Sequence, residues 1–447
     1  MNDTAVTRII ADFVRAYPAG GLPEAVRHEA HRTFLNWLGC AVGGSRDETV
    51  DIALAALLPF SGAPEAHVLG RRERCDALHA ALLNGIASHV FDFDDTHLRT
   101  VIHPAGPVAS ALLAFAEHCP TTGSAFIDAL ALGIEVECRI GNAVFPEHYD
   151  IGWHITATAG VFGAAAAVGR LLDLDTERMS WALGLAATQP VGLREMFGTM
   201  TKSFHPGRAA QNGMTAALLA ARGYTSSIAA IEAKRGWANI LSTGRRYAEI
   251  TDNLGGDWQI LSNTYKPFAC GIVIHPAIDG CLQLRQRDLD PGAIERVSLK
   301  VHPLVLELTG KRDPQTGLEG KFSVFHCAAA ALIEGDAGVK QFTERCVRDP
   351  AIVSLRNRVE AEIDPSLDSD AARVEIRMRD RAEHRVAIEH AIGSLARPMT
   401  DAQLEAKFRG LSSDILGVER CESLIRQAWH LGDTDDAARI ARDAVPA

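Results

Sequence analysis

The chain has 447 residues, with 47% apolar and 23% charged residues, nine cysteines and a formal net charge of -11. That length exceeds what one simple core holds, and the apolar-to-charged balance is that of a folded globule, so two domains are expected. The acidic surplus, the lack of a long Lys/Arg run and the lack of an apolar run near ~18 residues argue against nucleic acid or membrane as partner. The first residues show no signal-peptide pattern and the scattered cysteines form no C-x-x-C pair, so a cytoplasmic protein with reduced, mostly buried thiols is expected.

From the N-terminus to about residue 265 the apolar spacing is helical. After Pro23, residues 24–38 repeat apolar side chains at three- and four-residue steps, and Gly39 and Gly43-Gly44 are expected to end that helix. Further helices are expected over 107–117, 124–141, 156–172 and 209–222, the last stopped by Gly223. The run from Gly160 to Ala167 is crowded with small residues, which let helix axes approach closely and mark the centre of a bundle.

After Lys266-Pro267 the period changes. Val297, Leu299 and Val301 alternate with polar residues, as do Val374, Ile376 and Met378, then Val386 and Ile388. These are strand patterns, with 379–384 as a polar hairpin connection and helices expected over 322–334 and 342–347. From Thr400 the helical pattern returns. The expected fold is therefore mainly α: a large, discontinuous all-helical bundle domain (1–266 and 400–447) with a smaller inserted α+β lid domain (267–399) whose sheet is mainly antiparallel.

Within the helical part, Asp92-Phe93-Asp94-Asp95-Thr96-His97 followed by His103-Pro104 gathers three carboxylates, a hydroxyl and two imidazoles in about a dozen residues. Titratable groups that close shift one another's pKa and suit proton transfer, although Asp-rich turns also serve as plain helix caps. Trp153-His154-Ile155-Thr156 sets an imidazole and a hydroxyl at a helix N-terminus, where free N–H groups favour a carboxylate; a capping Thr beside a core His is the plainer alternative. Lys202-Ser203-Phe204-His205-Pro206-Gly207-Arg208 carries three cationic or potentially cationic groups just before a helix, as a polycarboxylate site or a solvated basic turn. Tyr265-Lys266-Pro267 stands where helix gives way to strand, at a domain junction where ligand clefts are common, and His275-Pro276 follows.

No G-x-S-x-G, Walker A, G-x-G-x-x-G or H-E-x-x-H pattern occurs, which removes the serine hydrolase, nucleotide enzyme and zincin classes. A metal hydrolase lacks a standard ligand spacing here, so no metal or cofactor is expected. Lys, His and Asp without a cofactor motif suit abstraction of a proton alpha to a carboxylate, with cations stabilising the developing enolate. A non-enzymatic helical binding protein has little use for such groups.

These motifs in this order resemble the MmgE/PrpD family, whose members include 2-methylcitrate dehydratase, cis-aconitate decarboxylase and iminodisuccinate epimerase. The resemblance runs from Leu38-Gly39-Cys40 through Asn84-Gly85, Asp92 to Thr96, His103-Pro104, His154, Lys202, Gly207-Arg208-Ala209-Ala210, Lys266-Pro267 and Lys321-Phe322-Ser323 to Leu404-Glu405-Ala406-Lys407-Phe408. It implies a homodimer acting on a small polycarboxylate without a cofactor, at a site between helical domain and lid. By position it implies Asp92, Thr96, His103, His154, Lys202 and Lys266 as site residues.

Three departures stand out: Cys270-Gly271 where dehydratases and decarboxylases of the family carry Glu or His, Asn36 in place of a usual Asp, and a Thr96-to-His103 loop one residue longer than in the decarboxylase. Loss of an acid/base group beside the site argues against reactions with a leaving group. The expected activity is thus cofactor-independent epimerisation of a small dicarboxylate such as iminodisuccinate, with 2-methylcitrate-type dehydration or cis-aconitate-type decarboxylation as alternatives. Asp92, His103, His154 and Lys266 are expected to move protons, and Thr96, Lys202, Arg208 and Tyr265 to hold substrate.

Overall fold

The computed structural model describes residues 5–287 and 289–447. The chain is mainly α and separates into two compact units. The first comprises 1–90, 94–263 and 401–447; the second comprises 91–93 and 264–400. Residues 91–93 and 264–266, grouped with the helical part on sequence grounds, thus cluster with the second unit. No helix among the described residues is long and apolar enough to cross a membrane.

The first unit is built on α1 (Glu24–Gly44), α2 (Ala77–His89), α3 (Ala105–His118), α4 (Gly123–Val144), α5 (Ile155–Leu171), α6 (Thr176–Ala187) and α7 (Thr201–Ala221). Its core includes Trp37, Phe34, Phe126 and Phe162, each fully buried and each worth roughly 1.5–3 kcal/mol of apolar transfer. Close helix approaches occur where the small residues sit: a Cβ on Gly163 would lie 2.8 Å from the Gly133 carbonyl, and one on Gly85 would lie 2.4 Å from the Gly207 Cα. The second approach presses the end of α2 against the start of α7 and so brings His89 into the neighbourhood of Lys202 and His205.

Two helix boundaries differ from the expectation. Helix α7 begins at Thr201, so 202–208 is helical rather than a turn before the helix. Pro206 lies near the N-terminal end, where it costs one i to i-4 hydrogen bond instead of a whole central turn. Helix α1 runs through Gly39 and Gly43, for a reason given below.

In the second unit, α8 (His275–Arg285) and α9 (Val324–Glu334) accompany a four-stranded sheet of β1 (Ile294–Val301), β2 (Val359–Ile363), β3 (Ala372–Met378) and β4 (Glu383–Ile388). Strand order is β2-β1-β3-β4, with β1 and β2 parallel and the other pairs antiparallel. The β3–β4 turn is shorter than expected, closing with Met378 N–H to the Ala382 carbonyl at 2.9 Å and Arg381 at φ 73, so His384 is already in the strand opposite Ile376. Expected helix 342–347 is only the short turn Glu344–Val347 after a 3-10 segment. Ser323 caps α9 by accepting from the His326 N–H.

The chain then returns to the first unit with α10 (Asp401–Leu416) and α11 (Val418–Trp429). A Cβ on Gly39 would lie 3.0 Å from the Phe408 ring and one on Gly43 would lie 3.0 Å from Leu411. Those glycines are contact points for α10. Packing outweighs the roughly 1 kcal/mol that each costs a helix, which is why α1 does not stop there.

Candidate active site

The first unit gathers four buried imidazoles. His89 is the last residue of α2, His103 precedes α3, His154 is the N-cap residue of α5, and His205 lies in the first two turns of α7. The His89 ring centroid is 4.8 Å from that of His103 and 5.8 Å from that of His154, which is 5.2 Å from that of His205.

The hydrogen bonds between them define roles. His103 Nδ1 is 2.6 Å from the Asp95 carbonyl, 3.3 Å from Thr96 Oγ1 and 3.5 Å from Asp94 Oδ1. A carbonyl only accepts, so Nδ1 of His103 carries a proton and donates it. His89 Nδ1 donates to Asp94 Oδ2 at 2.6 Å. His154 and His205 meet through their Nδ1 atoms at 2.9 Å. Burial, helped by the neighbouring charges of His89 and Lys202, pushes His154 well below the usual imidazole range and His205 down to about 4. Both rings are therefore neutral at neutral pH. Lys202, one turn before His205, holds its ammonium 5.4 Å from the centroid of Phe197, whose ring meets His154 edge-on.

The backbone is arranged for these contacts. His97 N–H bonds to the Ile102 carbonyl at 2.8 Å, closing the loop that returns the chain to His103, and Val101 within it takes φ 54. Left-handed backbone is costly for a β-branched residue, so the surrounding structure must hold it. Asp95 Oδ2 accepts from Asn263 Nδ2 at 2.8 Å and from the Ala105 N–H that opens α3 at 3.2 Å. Burial, then the charge of Asp94, pushes its carboxyl up to about 7.

His89, Asp94 and His103 also bring donor atoms within 4.8 Å of one another, a spacing that a cation can bridge. Both Nδ1 atoms already face hydrogen-bond acceptors, so a cation there would have to take the Nε2 lone pairs or displace those protons.

In the second unit, Lys266 Nζ donates to both the carboxylate Oδ1 (2.9 Å) and the carbonyl oxygen (3.0 Å) of Asp92. Asp92 takes φ 52, the left-handed conformation in which its carbonyl and carboxylate grip one ammonium. Lys321 Nζ donates to the neighbouring Phe91 carbonyl at 2.8 Å. Cys270 is buried; desolvation alone would raise its thiol, but hydrogen bonds from Cys327 and His275 and the Lys266 charge lower it.

Residues 8–250 match the MmgE/PrpD N-terminal domain and residues 268–431 the MmgE/PrpD C-terminal domain. The chain belongs to the MmgE/PrpD family. It is 27% identical to a human cis-aconitate decarboxylase (97% of this chain, 93% of the relative). It is 25% identical to an Aspergillus terreus cis-aconitate decarboxylase (94% and 92%) and 26% identical to a cis-aconitate decarboxylase-like protein of Aspergillus oryzae (97% and 96%). None of these relatives is an iminodisuccinate epimerase, so the similarity supports a family enzyme with decarboxylase relatives and not the isomerase class expected above.

Within this MmgE/PrpD chain, the expected residues fall into separate groups. Thr96, His103, His154 and Lys202 belong to the imidazole cluster, and Asp92 and Lys266 form their own pair. Arg208 bonds to Gln211 on its own helix and stacks 5.5 Å over Phe204, contacts that are local to α7. Tyr265 is buried, and its carbonyl lies against Gly393. Thr156 does not cap α5; its hydroxyl accepts from the His103 N–H at 3.2 Å. His97 bonds to Thr100 Oγ1 at 2.7 Å within the loop.

The sequence reading did not single out His89, which the structure brings into the imidazole cluster, and took His205 for a carboxylate-binding or solvated residue. The spacing Lys202 to His205 is one helical turn. It would have placed both on one face had 202–208 been read as part of the helix rather than as a segment before it.

Proposed function

We propose that this MmgE/PrpD enzyme is a carbon–carbon lyase that decarboxylates a small unsaturated polycarboxylate of the cis-aconitate type by side-chain acid–base chemistry. The observation that carries this reading is the set of buried imidazoles around His103 and His154, taken with similarity over nearly the whole chain to cis-aconitate decarboxylases. Loss of carbon dioxide from the methylene carboxylate leaves an electron pair spread over the allyl unit and its conjugated carboxylate. The double bond shifts, and one proton is delivered to the far carbon. Lys202, beside the imidazoles, supplies positive charge for this developing anion, and the imidazoles handle the proton.

Cys270-Gly271 no longer argues against decarboxylation. Carbon dioxide departs as a neutral molecule and needs no acid, whereas a departing hydroxyl does. The departure at 270 therefore weighs against dehydration and leaves decarboxylation open.

Proton NMR of the chelator-treated protein in heavy water, with cis-aconitate, 2-methylcitrate and iminodisuccinate in separate tubes, tests the reading. The expected result is a terminal methylene product from cis-aconitate, carrying one deuterium, with equimolar carbon dioxide. Interconversion of iminodisuccinate stereoisomers with alpha-proton exchange and no olefin would replace decarboxylase with epimerase. Three unchanged tubes would refute both.

A further inference from the structure

We propose that His205 is a positioning residue that donates its Nδ1 proton to His154 and so fixes His154 as the Nε2–H tautomer, a proton donor set oppositely to His103 in the same cluster. The proposal rests on the proton-delivery reading above for its purpose, and on the first unit alone for its geometry.

Two ring nitrogens 2.9 Å apart must share one proton, because two lone pairs or two N–H groups at that distance repel. One of the pair donates and the other accepts. His103 supplies the second constraint. Its Nδ1 proton is held by the Asp95 carbonyl, with Thr96 and Asp94 oxygens nearby, which leaves Nε2 as the ring nitrogen that can accept a proton. A cluster in which His154 was set the same way would hold two acceptors and no donor. The decarboxylation needs one proton delivered to carbon, so His154 must present N–H at Nε2, its Nδ1 must accept, and His205 must donate.

The rings are held for this. Gly192 accepts from the His154 N–H at 3.0 Å, and at φ 105 it leaves space that a Cβ would take from the His205 ring, 3.1 Å from Cγ and Nδ1. His154 and His205 are both buried, at 2% and 3% exposure, so bulk water does not compete for the shared proton. Neutrality of both rings, which burial enforces, is what makes tautomer rather than charge the controlled variable.

Three variants separate donor, acceptor and neither: His205→Asn keeps an N–H donor, His205→Asp offers only acceptors when ionised, and His205→Leu offers nothing. Nitrogen-15 NMR of the His154 ring reads the tautomer without substrate, and steady-state kinetics on cis-aconitate reads its use. The wild type and H205N should show the proton on Nε2 of His154, and H205D should move it to Nδ1. The kcat of H205D and H205L should fall about 10²- to 10³-fold, within the range of a lost general acid, with KM changed less than about threefold and H205N within about tenfold of wild type.

A wild-type His154 protonated at Nδ1, or equal kcat in H205N and H205D, would overturn the proposal. Should H205L fail to fold, the near-isosteric Asn and Asp pair still decides. If the spectra show the Nε2–H tautomer but no decarboxylation occurs with any substrate, the functional reading fails while the positioning of His154 stands.

Discussion

The imidazole cluster of the first unit and the Lys266–Asp92 pair of the second bury polar groups by opposite means. The cluster keeps its His154 and His205 rings neutral and links them by shared protons, so each proton remains available to move. The pair instead holds two formal charges against each other through two hydrogen bonds to one ammonium. The difference is one of charge: a neutral ring can give or take a proton, whereas a fixed ammonium sets the local potential. Both depend on left-handed backbone at non-glycine residues, Val101 in one case and Asp92 in the other.

The sharpest way to break the comparison is Lys266→Ala. We expect kcat/KM to fall by about 10³-fold, in line with losing a preorganised charge. The fold should be retained but weakened, because the buried Asp92 carboxylate loses the Lys266 ammonium that balances its charge. Adding Asp92→Asn should restore much of the stability and none of the activity, as read by urea midpoints beside turnover. A K266A enzyme that turns over normally would take Lys266 out of the mechanism.

Acid should expose the neutral cluster next. His154 and His205 have folded pKa values depressed below the unfolded value near 6.5, so the unfolded chain takes up protons that the fold refuses. Their contribution is fully present above about pH 6.5 and is lost as pH falls through the folded values, at about 1.4 kcal/mol per pH unit for each ring. Burial also depresses His31, His97, His148 and His326, so among the described residues the loss is shared by six rings. Urea midpoints at pH 7, 6 and 5 should fall in that order, and H205N should fall less steeply. A flat profile would mean that the rings charge freely inside the fold.

Much of this was legible beforehand, because the signals were local. Helical periods in α3, α4 and α5 and the two-residue period of β1 and β3 survive tertiary packing, and the polar motif at 92–103 holds the very groups that assemble. What escaped were effects of distant partners. Gly39 and Gly43 look like stop signals until Phe408 and Leu411 arrive from the other end of the chain. Val359, Ala361 and Ile363 do alternate with Glu360 and Glu362, but the run is short and only its pairing with β1 makes it a strand. His89 and His205 lie far apart in sequence, and nothing local marks either as the partner of His154. The chemical inference at Cys270 was too strict for a different reason, since it treated carbon dioxide as a leaving group in need of an acid.

The smallest expected effect concerns Asp95, a carboxyl that burial also favours in its neutral form. Burial, then the Asp94 charge, raises the folded pKa of Asp95 to about 7, above an unfolded value near 3.9. The fold therefore binds a proton that the unfolded chain has released, and stability from this group is fully present below about pH 4 and lost as pH rises through about 7. Asp95→Asn removes that dependence while leaving an amide oxygen to accept from Asn263 and the α3 N-terminus. Relative to wild type, D95N should gain of order 1–2 kcal/mol at pH 8 and gain much less at pH 5, opposite in slope to the histidines. Urea midpoints at the two pH values measure it. If D95N were instead the less stable protein at pH 8, the carboxylate would be ionised and well held in the fold, and Asp95 would belong with the fixed charges of the Lys266–Asp92 pair.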